Sequence, residues 1–258
     1  MVFTGAEITA WVGSFLWPLF RIGALVLAAP IFSASSVPVK IRVGLALMLT
    51  LAVAPLVPTP PAVELFSLAS LAIIVQQILI GATLGFTLQL VFAAIITGGQ
   101  VVAMQMGLGF AQMVDPQNGL QVPVLSQFYL MMATLVFLAL NGHLILVDVL
   151  VGSFQTMPIS ANGLLPEDFW QLARWGSYVF GGAVSMAIPT IAALLIVNIS
   201  FGVMNRSAPQ LNIFGIGFPV MMLFGFAIIF VTLPSVVPQF SDLVVSNVSM
   251  LRDLVTLR

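Results

Sequence analysis

The sequence predicts an all-α, polytopic membrane-type protein, and two observations lead to this fold class. Charge is scarce, because the 258 residues include only seven basic and eight acidic side chains, whereas about a quarter of the residues in a soluble domain are charged. The charged residues also leave long gaps, the longest of which is residues 65–114. These few charged groups cannot cover the surface of a soluble protein of this size. Lipid or apolar protein must therefore surround most of the chain.

The apolar segments are long enough to be spanning helices, which need about 20 residues at a rise of 1.5 Å each. They run continuously instead of alternating, which excludes the short strands of a membrane barrel. The sequence therefore predicts about six hydrophobic helical segments, paired as hairpins in one helical domain, 1–258, and their expected bounds are 8–29, 43–57, 65–97, 123–140 (or on to 151), 176–203 and 214–237.

Two segments depart from a simple span. The second is short for a bilayer, and the third is long enough to tilt strongly, to kink at Gly81 or Gly85, or to form two half-helices. The connections are marked by helix breakers or polar residues, and they are expected at 33–38, 55–61, 98–123, 157–166 and 205–212.

Basic residues do not orient the chain. With six spans, three basic residues fall on each side, so the positive-inside rule gives no direction; one side holds Lys40, Arg42 and Arg206, and the other holds Arg174, Arg252 and Arg258. The near-zero net charge provides no basic surface for nucleic acid, and the absence of cysteine excludes disulfides, thiol catalysis and cysteine-ligated metals.

Arg21 lies in the middle of the first apolar segment, where a charge costs at least about 2.5–3.5 kcal/mol. Glu7 is on roughly the same helix face but about 21 Å away along the axis, too far to pair with it. The partner of Arg21 must therefore come from another helix, another subunit or a wet cavity. The alternative is that Arg21 snorkels to an interface from a segment that does not span.

His143 is the single histidine and lies in Asn141-Gly142-His143, near the end of a predicted helix. It has no neighbouring ligand for a metal, and Asp148 is about 140° away around a helix, too divergent for a catalytic pair. We interpret His143 as a polar anchor at the helix end. The sequence thus predicts no enzymatic activity, no metal and no cofactor.

The third segment carries polar and small residues in a helical pattern. Gln76 and Thr83 are followed by Thr87, and Gly81 and Gly85 lie on an adjoining face. Small residues let helix backbones approach closely, and hydroxyl and amide groups form hydrogen bonds across the contact. The pattern predicts an assembly surface, and a polar pore lining is the alternative.

The central connection combines methionine, phenylalanine and flexible glycine. Thioether side chains adapt their shape at little cost, which suits a surface that must both seal and yield. Simple space filling is the alternative interpretation. The candidate residues are Met106, Gly107, Gly109, Phe110, Met113, Asp115 and Pro116.

Two stretches go beyond general membrane character. One is Asn-Arg-Ser-Ala-Pro-Gln-Leu-Asn at 205–212, and the other is Gly-Phe-Ala-Gln-Met-Val-Asp-Pro at 109–116, which is followed by Asn-Gly-His at 141–143. Together they resemble the FliR family, the export-gate membrane proteins of the bacterial flagellar type III secretion apparatus, and its counterparts in injectisomes. The resemblance covers essentially the whole chain, and we favour the flagellar branch.

The resemblance implies a function that composition alone does not provide. Members of this family are not enzymes, and they join FliP-like and FliQ-like subunits in a helical assembly around an export channel, alongside FlhB-like and FlhA-like components. It also implies a location in the inner membrane at the flagellar basal body, with unfolded flagellar proteins as cargo. A central loop plugs the channel in this family, and its counterpart here is 107–122.

In the 205–212 element, we expect a tight turn between two hairpinned helices. Arg206, next to Asn205, would donate to carbonyl groups left free by Pro209 or pair with a neighbouring subunit. The alternative is a cytoplasmic loop with one topology-setting arginine.

A different class of function, a small secondary transporter or channel, would need ionisable groups at mid-membrane, and only Arg21 and Asp148 are candidates.

Overall fold

The computed structural model describes residues 5–61, 63–64, 67–108, 124–207 and 213–256, and over these residues the chain forms helices and turns without any strand. The predicted all-α class is therefore confirmed. The α-helices of the described residues are α1 Gly5–Ala28, α2 Val39–Val53, α3 Leu68–Gln105, α4 Val124–Ala139, α5 Gly142–Thr156, α6 Pro166–Ser207 and α7 Ile213–Thr256. A short 3₁₀ turn, Ala54–Leu56, follows α2.

The number of apolar helices agrees with the sequence. Within the described residues, five helices are long and apolar enough to cross a membrane, or six if α4 and α5, which are bent by 65° at their break, count as one span. The break itself falls at Asn141, the one non-glycine residue with a positive φ (56°) among those described. Asparagine tolerates this left-handed conformation better than most residues do.

Several predicted helix ends were wrong. Helix α3 is continuous for 38 residues, so it has no break at Gly81 or Gly85, and it occupies the first part of the connection expected at 98–123. Helices α6 and α7 are 42 and 44 residues long and extend well beyond the expected 176–203 and 214–237. A hydropathy pattern ends where polar residues begin, whereas backbone hydrogen bonding does not depend on that polarity.

Helix α6 shows how such a polar extension starts. Pro166 occupies the first helical position, where its missing N–H is no loss, and Glu167 and Asp168 lie in the first turn. The Asp168 carboxylate accepts a hydrogen bond from the backbone N–H of Leu165 at 2.7 Å. This is the return half of a capping box, and it fixes the start of the helix ten residues before the apolar segment.

The chain groups into two compact units that alternate along the sequence. Unit 1 comprises Met1–Leu90, Leu138–Gly176 and Val244–Arg258, and unit 2 comprises Val91–Phe137 and Ser177–Leu243. The proposal of a single export-gate domain, 1–258, stays a prediction.

The core of unit 2 is aromatic. The Phe92 ring meets the rings of Phe137 and Phe240 edge to face, with centroid distances of 5.7 and 5.6 Å. Two consecutive glycines of α3 allow its neighbours to approach, because Gly98 faces Met186 of α6 and Gly99 faces α4. Shape and ring geometry therefore hold this unit together.

Large apolar side chains also cover much of the outside. Helices α6 and α7 contain long apolar windows, of which only 28% and 22% are buried. Phe180 is 70% exposed and Phe230 is 80% exposed. Apolar surface on this scale is typical of helices that contact lipid or other apolar protein.

Candidate functional site

The centre of unit 1 is a fully buried arginine. Arg21 Nε donates to Gln77 Oε1 of α3 at 2.8 Å, and one terminal nitrogen donates to the carbonyl oxygen and the hydroxyl of Ser153 at 2.8 and 3.0 Å. The other terminal nitrogen donates to the Met157 carbonyl oxygen at 2.8 Å. Arg21 thus joins α1, α3 and the C-terminal end of α5, and we call these four residues the arginine clamp.

The clamp holds its charge without an acidic partner among the described residues. Helix α5 ends at Thr156, so the guanidinium lies at the negative end of the helix dipole. The Phe154 ring lies 4.2 Å from the Arg21 Cζ atom, which adds a cation–π contact. The Ser153 hydroxyl donates to the Leu150 carbonyl at 2.6 Å, which leaves its lone pairs directed at the arginine.

Of the sources of partners that the sequence left open for Arg21, the structure therefore shows other helices of the same chain. Arg21 is 0% exposed, so it does not snorkel out of unit 1. Neither side-chain partner, Gln77 or Ser153, was predicted from the sequence. The available signal was the Gln76-Gln77 pair, two amides side by side in a charge-free segment.

The two adjacent glutamines of α3, Gln76 and Gln77, accept hydrogen bonds from different parts of unit 1. While Gln77 holds Arg21, the Gln76 side-chain oxygen accepts a hydrogen bond from the backbone N–H of Leu164 at 3.2 Å. It also lies directly against Gly163, where a Cβ atom would clash with it. Gln76 therefore positions the α5–α6 connection, next to the helix end that the clamp holds.

Gly81 and Gly85 do allow close helix approach, and their neighbour is α1. A Cβ atom on Gly81 would meet the Arg21 carbonyl oxygen, and one on Gly85 would lie 2.6 Å from the Ala28 Cβ. The small-residue surface predicted from the sequence is thus filled by the same chain. A contact of this surface with another subunit stays a prediction.

The threonines of α3 are turned inward as well. Thr83 and Thr87 are buried, and the Thr87 carbonyl oxygen accepts a hydrogen bond from Asn247 Nδ2 of α7 at 3.1 Å. After the bonds of Gln77 and Gln76, this is a third hydrogen bond through a side chain that links α3 to another segment of unit 1, and it was not predicted from the sequence.

His143 lies in the first turn of α5, directly after the Asn141 break, and is half-buried. Asp148 forms an exposed ion pair with Arg252 at 3.6 Å. No group of three potential metal ligands occurs among the described residues. The anchoring role of Asn141 and His143 stays a prediction.

The start of the central connection is well defined. Met106 is completely buried, and Gly107 has a φ of +82°. The other candidate residues of the plug-like loop lie outside the described residues, namely Gly109, Phe110, Met113, Asp115 and Pro116.

The expected turn at 205–212 needs a correction. Asn205 and Arg206 belong to the last turn of α6, which ends at Ser207, and both are exposed. Arg206 at this position is a cation at a helix C-terminus, where the dipole favours it. Pro209 lies outside the described residues, so the proposed contact with its neighbouring carbonyl groups stays a prediction.

Long apolar helices, with a buried arginine that is hydrogen-bonded to other helices of the chain, define a polytopic α-helical membrane-type protein. The family model for bacterial export proteins, family 1, matches residues 12–246. The chain therefore belongs to the bacterial export proteins, family 1. This confirms the resemblance that the sequence motifs indicated.

Individual relatives agree with this assignment. The flagellar biosynthetic protein FliR of Escherichia coli (strain K12) is 42% identical over 253 residues, covering 98% of this chain and 97% of the relative. FliR of Pectobacterium carotovorum subsp. carotovorum is 40% identical over 259 residues, with coverage of 99% and 98%. FliR of Bacillus subtilis (strain 168) is 30% identical over 249 residues, with 95% of both chains covered. The chain is thus a flagellar biosynthesis and export protein, and its apolar helices indicate a membrane-embedded location.

Proposed function

We propose that this protein is a non-enzymatic subunit of the flagellar type III export gate in the bacterial inner membrane. In this proposal it assembles with FliP-like and FliQ-like subunits and works beside FlhB-like and FlhA-like components. Together they form the channel through which unfolded flagellar proteins leave the cell. The observation that carries the proposal is the family match over residues 12–246, together with relatives named FliR over nearly the full chain.

The surface of the chain supports a role in a larger assembly. Helices α6 and α7 carry many exposed large apolar side chains, whereas the Arg21 guanidinium of unit 1 is buried and hydrogen-bonded inside. Such helices have little left to offer a polar substrate, but they present a wide area for lipid and for other apolar helices. A subunit that acts through packing fits this distribution.

We further propose that the central loop, 107–122, plugs the channel between rounds of export. The composition of this loop, with glycines beside thioether and aromatic side chains, suits a seal that must open and close. The plug is tested by replacing residues 109–121 with a Gly/Ser linker of equal length in the assembled gate. We expect membrane conductance to small ions to rise several-fold while the amount of assembled gate is unchanged.

The control is a Gly/Ser replacement of the four residues 159–162 in the α5–α6 connection, which should leave the conductance at the parental level. If the 109–121 replacement also kept the conductance at background, with normal assembly, the plug proposal would be wrong.

The rival function, a small secondary transporter or channel, makes a different prediction. It requires activity from the purified chain alone, whereas an export-gate subunit needs its partners. Arg21, the one charged residue buried in the described part of the chain, is already committed to four hydrogen bonds. We therefore favour the export-gate role, and solute transport by liposomes that contain only this chain would overturn it.

A further inference from the structure

The end of α3 is fixed by a specific cap. The N–H of Leu108 donates to the Ala103 carbonyl and the N–H of Gly107 donates to the Met104 carbonyl, both at 3.0 Å. These two bonds, with a φ of +82° at Gly107, form a Schellman motif, in which glycine is favoured because a side chain would be strained. The chain therefore changes direction at Gly107, at the entrance to the central loop.

Directly before this turn, Met106 fills a notch in α7. The buried stripe of α7 runs through Met221, Gly225 and Ile229, four residues apart, and Gly225 is the low point between two large side chains. A Cβ atom at Gly225 would lie 2.6 Å from both Cγ and Cε of Met106 and 2.8 Å from its sulfur. The methionine thus occupies the space that any other residue at 225 would need.

A second contact lies at the turn itself. A Cβ atom at Gly107 would come within 3.2 Å of the Phe218 ring, which lies two turns before Gly225 on the same helix. Met106 is 0% exposed, whereas Phe218 is 45% exposed. The contact is therefore tight at Met106 and looser at Gly107, so Met106 is the residue that fixes the end of α3 against α7.

We propose that Met106 in the Gly225 notch permanently anchors the start of the central loop at the Gly107 turn. This inference rests on the proposed role of that loop as the channel plug. It assigns a positioning role to Gly225, a residue more than a hundred positions away in sequence. Without the anchor, the end of α3 would no longer fix where the loop begins.

The test places a side chain in the notch and then removes the side chain that it displaces. In the assembled gate, Gly225→Leu should expel Met106 and raise the small-ion conductance several-fold. Adding Met106→Ala to Gly225→Leu should return the conductance to the parental level, because leucine then fills the space of the thioether. Any effect of the new leucine on lipid or on partner subunits is the same in both variants, so the difference between them reports the notch alone.

The proposal is overturned if Gly225→Leu does not leak, or if the double variant leaks as much as the single one. A second measurement does not depend on tolerating leucine. The chain has no cysteine, so Met106→Cys with Gly225→Cys introduces a single possible intramolecular pair. Met106 Cγ, the position that a cysteine sulfur would take, lies 2.6 Å from the Cβ position at 225, so oxidation should close a disulfide in most of the chains.

A permanent anchor predicts that this disulfide leaves flagellar protein export unchanged, since the contact between residues 106 and 225 stays closed throughout export. If export stops on oxidation and returns on reduction, the contact between residues 106 and 225 must open during export. If the two cysteines fail to cross-link, that contact does not exist. Either result contradicts the anchor. The proposed function is tested separately by the 109–121 replacement. A gate that leaks with that replacement but stays tight with Gly225→Leu refutes the anchor and leaves the plug standing.

Discussion

The two compact units hold their helices together by different means. In unit 1, directional hydrogen bonds from Arg21 reach α3 and the end of α5. In unit 2, edge-to-face rings around Phe92 and the glycine contacts of α3 do the equivalent work. Both units use close glycine contacts, but a buried, hydrogen-bonded cation distinguishes unit 1, and a cluster of aromatic rings distinguishes unit 2.

This difference matters in a membrane environment. Lipid is as apolar as a protein core, so apolar contact alone does little to select one helix arrangement over another. A buried polar group without its partner is costly there, because no water can replace the partner. The arginine clamp therefore specifies which helices meet in unit 1, and unit 2 must rely on close fit, as at the Gly225 notch. The following variants break or sharpen that contrast.

The largest effect is expected from Arg21→Met, which keeps an unbranched apolar stem but removes the guanidinium donors. The Gln77 oxygen, the Ser153 hydroxyl and the Met157 carbonyl would lose their hydrogen bonds from the guanidinium while buried. Since each unpaired buried polar group costs about 1–3 kcal/mol, the free energy of unfolding should fall by roughly 3 kcal/mol or more. Thermal denaturation in detergent, followed by helical circular dichroism, measures this.

Arg206→Met is the matched control for that variant, because it removes an exposed arginine from the last turn of α6. Its effect should stay within about 0.5 kcal/mol. If the two variants melt at the same temperature, the clamp does not specify unit 1. Arg21→Lys should fall between the parent and Arg21→Met, since an ammonium cannot reproduce the planar fork.

Gly81→Ala should have the next largest effect, because the new methyl group meets the Arg21 carbonyl oxygen on the backbone of α1. Overpacking of this kind costs about 1–3 kcal/mol. Gly176→Ala makes the same change where no atom lies within 4 Å, and there alanine should stabilise α6 slightly through its helix propensity. Equal melting temperatures for the two variants would refute the close contact between α1 and α3.

Phe92→Leu tests unit 2. It keeps an apolar side chain but removes the edge-to-face geometry with Phe137 and Phe240, so the expected loss is about 1–1.5 kcal/mol. Phe230→Leu, on the exposed face of α7, should change stability by no more than about 0.5 kcal/mol. Denaturation curves of both variants in the same detergent decide this, and a larger loss at Phe230 would show that ring geometry does not govern unit 2.

The smallest effect is expected from Asp148→Asn. The ion pair of Asp148 with Arg252 is well exposed on both sides, so solvent screens it and its removal should cost no more than about 0.5 kcal/mol. Melting temperatures at low and high salt should then be nearly the same for parent and variant. A loss above 1 kcal/mol would mean that a partner subunit or lipid covers this pair.

Charge gaps and apolar length were enough to predict the fold class and the approximate number of helices. They could not show what Arg21 contacts, because Gln77 and Ser153 are 56 and 132 positions away along the chain. Nor could they place the Gly225 notch, since a single glycine among apolar residues carries no periodic signal. The helix ends were misplaced for a related reason, because the polar turns at the start of α6 and the end of α7 continue the helical hydrogen bonding while interrupting the hydropathy pattern.

The central claim is that this chain works as one subunit of a multi-subunit export gate. Native mass spectrometry of the affinity-tagged chain, extracted in mild detergent after co-expression with its FliP-like and FliQ-like neighbours, tests that claim most directly. The account predicts one copy of this chain bound to several copies of each of two smaller membrane proteins. A monomer or a simple homodimer, with both neighbours present in the same membrane, would contradict it.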